Sequence, residues 1–118
     1  ESMLKVTPEN EKGIAYFLLG TLYAAAGKST EAIGAYQQAG ELYLQQGRPG
    51  DALQPFQAMA QLAPNDYMIH QQLAVVYQRL ERYEEALAEA NQARALAPPD
   101  DWASLDQFIA DLERRLDR

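Results

Sequence analysis

Few residues on this chain could do covalent chemistry. The only histidine is His70, and there are no cysteines. A cysteine nucleophile, a thiolate zinc site, a disulfide framework and a paired-histidine metal site are therefore excluded. The carboxylates come closest to a catalytic arrangement, as Glu84-Glu85, Glu85 with Glu89, and Asp100-Asp101. General acid–base work needs such pairs held in unlike surroundings. On a solvated helix face or at a helix start they ordinarily serve the helix dipole instead. Ser2, Ser29 and Ser104 have no histidine base near in sequence. Gly47-Arg48-Pro49-Gly50 lacks the spacing and lysine of a phosphate loop, and it follows a helical stretch instead of a strand. The expectation is no catalytic, metal or cofactor-binding residue, with His70 packed or half-buried.

Charge narrows the partners. Ten basic against 17 acidic residues give a net charge of −7. A nucleic-acid binder would show a basic face, and an anionic membrane surface would ask the same. No apolar run approaches the roughly 18 residues of a membrane span. The richest, Ile14 to Ala26, is shorter and is broken by Gly20 and Thr21. Glu1-Ser2-Met3 reads as a cut end. A cytoplasmic setting is expected, with an anchor or targeting segment upstream left open. The 118 residues, 47% apolar and 23% charged, suit one folded domain over 1–118.

The elements that would position any site are helices. Pro8, Gly27-Lys28-Ser29, Gly47-Arg48-Pro49-Gly50, Pro64-Asn65 and Pro98-Pro99 are strong breakers, with a weaker one at Leu80 to Arg82. The segments between have ordinary helix lengths, none alternates apolar and polar, and several are rich in Ala, Leu, Gln and Glu. The spacing predicts helices over 9–26, 30–46, 50–63, 67–80, 83–97 and 101–117. Expected N-caps are Thr7 or Asn10, then Ser29 or Thr30, then Asp66, and Asp100 or Asp101. Gly27 and Gly47 are expected to end helices in the left-handed conformation. Pro55 is expected only in a first turn or at a kink.

An internal repeat is the strongest signal. Gly20-Thr21-Leu22-Tyr23, with Gly27, Ala32 and Tyr36 following, matches Gly40-Glu41-Leu42-Tyr43 with Gly47, Ala52 and Phe56, shifted by 20 residues. Ala74-Val75-Val76-Tyr77, with Glu81, Ala86 and Ala90, is a third copy shifted by a further 34. Each copy has a small residue, a tyrosine three later, a turn, and an alanine nine after the tyrosine. A small residue lets the next helix come close, and a tyrosine one turn on fills the space beside it. Tyr23, Tyr43 and Tyr77 are therefore expected in the core, with Tyr67 and Tyr83 half-exposed at helix starts. One such hairpin cannot bury both faces, so neighbours must stack.

These residues resemble the tetratricopeptide repeat, whose pattern is W-x2-L-G-x2-Y, then A-x3-F, an alanine and a closing proline. Residues 13–46 supply Tyr16, Leu19, Gly20, Tyr23, Ala32, Tyr36 and Ala39, ending in Leu44 instead of proline. Residues 33–66 supply Tyr36, Gly40, Tyr43, Ala52, Phe56 and Pro64, with Ala39 in place of leucine. Residues 67–100 supply Leu73, Ala74, Tyr77, Ala86, Ala93 and Pro98, with His70 in the tryptophan place. The first two copies share the helix over 30–46. Helix pairs starting at residue 30 and pairs starting at residue 13 both stay open, and adaptor proteins of the SNAP type look similar here. The resemblance implies an all-α, tetratricopeptide-like α-solenoid of about six antiparallel helices. Helix 101–117, with Trp102, Leu105, Ile109, Leu112 and Leu116 in one stripe, would be its capping helix; a partner-binding helix would show the same stripe.

The resemblance also implies a function. Such a chain would be a non-catalytic protein–protein interaction scaffold or adaptor, holding a peptide or partner helix in a concave groove within a larger assembly. The groove residues would be Phe17, Thr21, Gln37, Glu41, Leu44, Met68, Gln71, Val75 and Gln78. This lining is neutral and amphipathic, suited to an extended backbone with some apolar side chains. Family members that capture the acidic tail of a chaperone carry Lys, Asn and Arg on these faces. Phe17, Thr21, Gln37, Glu41, Gln71 and Gln72 stand there instead, so a neutral or basic partner is expected, with no nucleic acid and no membrane insertion. The alternative is self-association through the face at residues 1–27. A helical enzyme or small-molecule sensor would instead need a deep closed cavity with converging polar groups.

Overall fold

A computed structural model of the chain describes residues 8–117, with side-chain surroundings from Glu11 onward. Its helices are α1 (Pro8–Ala25), α2 (Ser29–Gln45), α3 (Pro49–Leu62), α4 (Tyr67–Arg79), α5 (Tyr83–Leu96) and α6 (Trp102–Leu116), with a 3₁₀ turn at Pro99–Asp101. No strand occurs among the described residues. Each helix begins and ends within about two residues of its expected bounds, and glycine or proline marks every break except the one between α4 and α5. The chain divides into two compact units, one ending at Leu62 with α1–α3 and one starting at Ala63 with α4–α6.

Three turns share one design. Gly27 and Gly47 have φ of +78° and +71°, and Glu81 stands in the same place at +60°. The next residue's amide donates back to the carbonyl of the repeat tyrosine: Lys28 to Tyr23 (2.9 Å), Arg48 to Tyr43 (2.8 Å) and Arg82 to Tyr77 (2.9 Å). This left-handed closure satisfies helix carbonyls that would otherwise lack partners. The guanidiniums of Arg48 and Arg82 then lie 5.1 and 5.0 Å from the ring centres of Tyr43 and Tyr77. Glu81 is the strained member, since a Cβ disfavours this conformation by about 1–2 kcal/mol. Glu81→Gly should therefore raise unfolding stability by about 0.5–1 kcal/mol, the remainder being offset by the looser unfolded chain. Urea denaturation checks this, and an unchanged midpoint would contradict it.

In the first unit the repeat spacing becomes close helix approach. Gly13 lies under the Tyr43 ring and Gly20 under Tyr36, so α1 and α2 run antiparallel. Gly40 lies under Phe56, which brings α3 onto the other side of α2. Ala32, Ala39 and Ala52 are fully buried where the helices cross. Tyr36 and Tyr43 are buried and Tyr23 is half-buried. The second unit has Ala74 and Ala90 where the first has glycine and an aromatic, both fully buried. Leu105, Ile109 and Leu112 of α6 are buried, and Leu105 packs with Ala93 and Ala97 of the α5 end. The outer members of that stripe, Trp102 and Leu116, face solvent. Trp102 is held from one side by Arg94, 4.3 Å from its ring centre, and its Nε1 donates to the Ala97 carbonyl at 3.1 Å.

Four local expectations are corrected or fall outside the described residues. Ser29 and Thr30 do not cap α2: Lys28 is the N-cap and no side chain bonds there, because the turn hands the chain directly into the helix. Asp101 precedes α6 without capping it, its carboxylate being taken by the Tyr67 hydroxyl at 2.5 Å, and Asp100 lies within the 3₁₀ turn. Asp66 does cap α4, accepting from the Met68 amide at 3.0 Å. Pro55 sits inside α3, well past its first turn, and the helix continues through it. Its ring is fully buried, which offsets the missing amide bond. The expected caps Thr7 and Asn10 lie outside the described side chains.

Candidate functional site

On α1, the Phe17 ring packs tilted against Tyr36, centres 5.5 Å apart. Thr21 Oγ1 donates to the Phe17 carbonyl at 3.0 Å and lies 3.1 Å from the Tyr36 hydroxyl. Thr21 has one hydroxyl proton, so Tyr36 is the donor of the second bond. On α2, Gln37 Nε2 donates to Glu41 Oε2 at 2.5 Å, and Leu44 is half-buried. The amide of Gln37 is thus turned along its own helix. In the second unit Met68, Gln71, Val75 and Gln78 follow one face of α4; Met68 is well exposed and the others are half-buried.

Several titratable residues of the second unit are hydrogen-bonded to one another or to the backbone. His70 is 9% exposed, with Nδ1 2.7 Å from Glu89 Oε1 and Nε2 2.7 Å from the Pro64 carbonyl. Burial opposes its charge, but the Pro64 and Glu89 oxygens outweigh that, and its pKa is raised. The Glu85 carboxyl is lowered by its hydrogen bond to Arg82, whose Nη2 stands 2.6 Å away. The Tyr67 phenol is raised, chiefly by its bond to Asp101. No group of three or more His, Asp or Glu fit for a metal occurs among the described residues.

The described side chains line at least two clefts. One, of about 250 Å³, lies in the first unit between Tyr16, Leu19 and Tyr23 of α1 and Glu31, Gly34, Ala35 and Gln38 of α2. A second, of about 360 Å³, lies in the second unit between Gln78, Tyr83, Asp111, Arg114 and Arg115. Of these, only Gln78 was expected from the sequence to be functional. Nothing local in the sequence shows that the end of α6 meets the start of α5. Arg115 Nη1 donates to the Tyr83 hydroxyl at 3.4 Å, and its guanidinium carbon is 5.5 Å from that ring's centre. Arg114 is ion-paired with Asp111.

Two family models, both described as Tetratricopeptide repeat, match residues 43–107 and residues 14–39. The chain belongs to the tetratricopeptide repeat family. Its fold class is accordingly the all-α, tetratricopeptide-type α-solenoid. Solved structures similar to this repeat chain include the first such domain of Spaghetti (RPAP3) bound to the HSP90 peptide SRMEEVD, at TM-score 0.61 and 16% identity over 92% of this chain and 95% of that one. PcrH from Pseudomonas aeruginosa aligns at TM-score 0.58 and 20% identity, over 88% and 93%. The Sgt2 domain from Aspergillus fumigatus aligns at 0.58 and 14%, over 94% and 81%. No curated protein matches the sequence. Among the described residues, no helix is long and apolar enough to cross a membrane.

Proposed function

We propose that this tetratricopeptide repeat chain is a protein-interaction module that binds a peptide or a partner helix, as a scaffold or adaptor in a larger assembly and without catalysis of its own. The face of α4 carries the reading: Met68 is 59% exposed beside half-buried Gln71, Val75 and Gln78, an apolar anchor among amide groups. Amides can pair with a partner's backbone while methionine and valine take its apolar side chains. In the first unit Phe17, Thr21, Gln37, Glu41 and Leu44 are the matching candidates. A neutral or basic partner segment suits a chain of net charge −7. A cytoplasmic setting belongs to the same reading. Val75→Asp should reduce capture of a co-purified partner by about tenfold or more, as loss of a central apolar contact does, with Gln71→Lys and Gln37→Lys as further probes. Undiminished capture by a folded Val75→Asp protein would move the site elsewhere.

One observation favours self-association as the second reading. Ile14, Leu18 and Leu22 of α1 stand four residues apart and are 50%, 56% and 67% exposed. Two copies could cover this stripe with each other. Sedimentation over a range of concentrations decides: a monomer throughout removes this reading and leaves the first.

A further inference from the structure

Of the six arginines among the described residues, four are ion-paired. Arg48 pairs with Asp51, Arg82 with Glu85, Arg94 with Asp106, and Arg114 with Asp111. Arg115 meets no carboxylate among the described residues. It is stacked on Tyr83 and bonded to that hydroxyl, at the wall of the 360 Å³ cleft. The dipole of α6 explains a basic residue in its last turn. It does not explain a guanidinium turned onto the start of α5. A flexible side chain pre-positioned in this way loses less entropy on binding, and the planar guanidinium presents parallel donors that fit a carboxylate's two oxygens. Gln78 faces the same cleft with an amide that has no hydrogen-bond partner among the described residues. The Tyr83 hydroxyl can turn its proton toward the cleft while still accepting from Arg115.

We propose that this cleft binds one carboxylate group of a partner polypeptide, with Arg115 as the forked donor and Gln78 and Tyr83 as supporting donors. Two guanidiniums against the Asp111 carboxylate leave the lining singly positive. A second anion beside the first would meet Asp111. The cleft therefore selects a lone carboxylate in an otherwise neutral or basic segment, and it discriminates against a run of acidic residues. The carboxylate can come from a chain terminus or from an aspartate or glutamate side chain. The proposal rests on the interaction-module reading only for the polypeptide that carries this group.

The test is NMR titration of the 118-residue chain, following the Arg115 Nε–H resonance. N-acetylleucine supplies a terminal carboxylate alone, N-acetylglutamate α-amide supplies a side-chain carboxylate alone, and N-acetylleucinamide supplies neither. At least one acid should shift the resonance saturably, the tighter of the two identifying the source, while the amide should not. Arg115 is exposed, so Arg115→Gln should stay folded; followed at Tyr83, it should weaken acid binding by roughly ten- to a hundred-fold, the usual effect of losing a hydrogen bond to a charged group. Arg115→Lys should fall between, keeping the charge without the fork. Asp111→Asn should tighten binding, an effect of opposite sign that a merely structural arginine cluster would not give. No saturable shift with either acid, equal shifts with the amide, or unchanged binding in Arg115→Gln each overturns the proposal. Acid binding that survives while Val75→Asp leaves partner capture intact would sink the α4 reading alone.

Discussion

Gly40→Ala is expected to destabilise the chain by about 1–3 kcal/mol, the range for forcing an extra methyl into a packed interior. In an ordinary helix interior the same change stabilises by about 1 kcal/mol. The sign reverses because a Cβ on Gly40 would stand 2.7 Å from the Phe56 ring. Phe56 is 1% exposed, so its ring has nowhere to go without displacing α3. Phe56→Ala alone should cost about 3–5 kcal/mol, from lost burial and the cavity left behind. With the ring gone, Gly40→Ala no longer collides and should become stabilising by up to about 1 kcal/mol. The double variant would then resemble the third copy, where Ala74 and Ala90 already occupy these two places. Urea denaturation of the four proteins gives the coupling directly. Additive effects would mean that close approach of α2 and α3 is not what requires glycine at residue 40.

That cycle also shows how much the residues disclosed beforehand. A small residue, a tyrosine and an alanine at fixed spacing carry the helix-crossing geometry in their own sizes, so helices, turns and repeat were legible together. The left-handed Glu81 was not expected: the repeat aligned it with Gly27 and Gly47, but only the glycines read as left-handed, because a Cβ disfavours that conformation. Caps were less legible because a side-chain oxygen has competitors. Asp101 is claimed by Tyr67, 34 residues earlier, and no local rule sees that bond. Ser29 lost its role because the preceding glycine turn left no separate capping position. For the candidate sites, period alone places Met68, Gln71, Val75 and Gln78 on one face. It cannot place Arg115 on Tyr83, 32 residues apart, since that contact depends on where α6 crosses α5 and on how far it runs.

His70 makes the stability of the second unit depend on pH, with a sign fixed by its partners. The Pro64 carbonyl and the Glu89 carboxylate can only accept, and each lies 2.7 Å from a ring nitrogen. A neutral imidazole has one N–H and can serve only one of them; the imidazolium serves both. Asp66, nearby, adds further attraction for the charged form. The folded pKa is therefore above the unfolded value of about 6.5. A raised pKa contributes stability that is complete below about pH 6.5 and is lost as pH rises through the folded value. The chain should accordingly unfold at lower urea near pH 8.5 than near pH 6. Glu89→Gln should lower the midpoint of this loss, since only the neutral carbonyl and Asp66 then favour the charge against burial. His70→Ala should cost about 1–3 kcal/mol near pH 6, from lost packing and an unanswered, part-buried carbonyl. His70→Phe has no proton to lose and should be flat across the window; a slope equal to that of the unchanged chain would assign the dependence to another group.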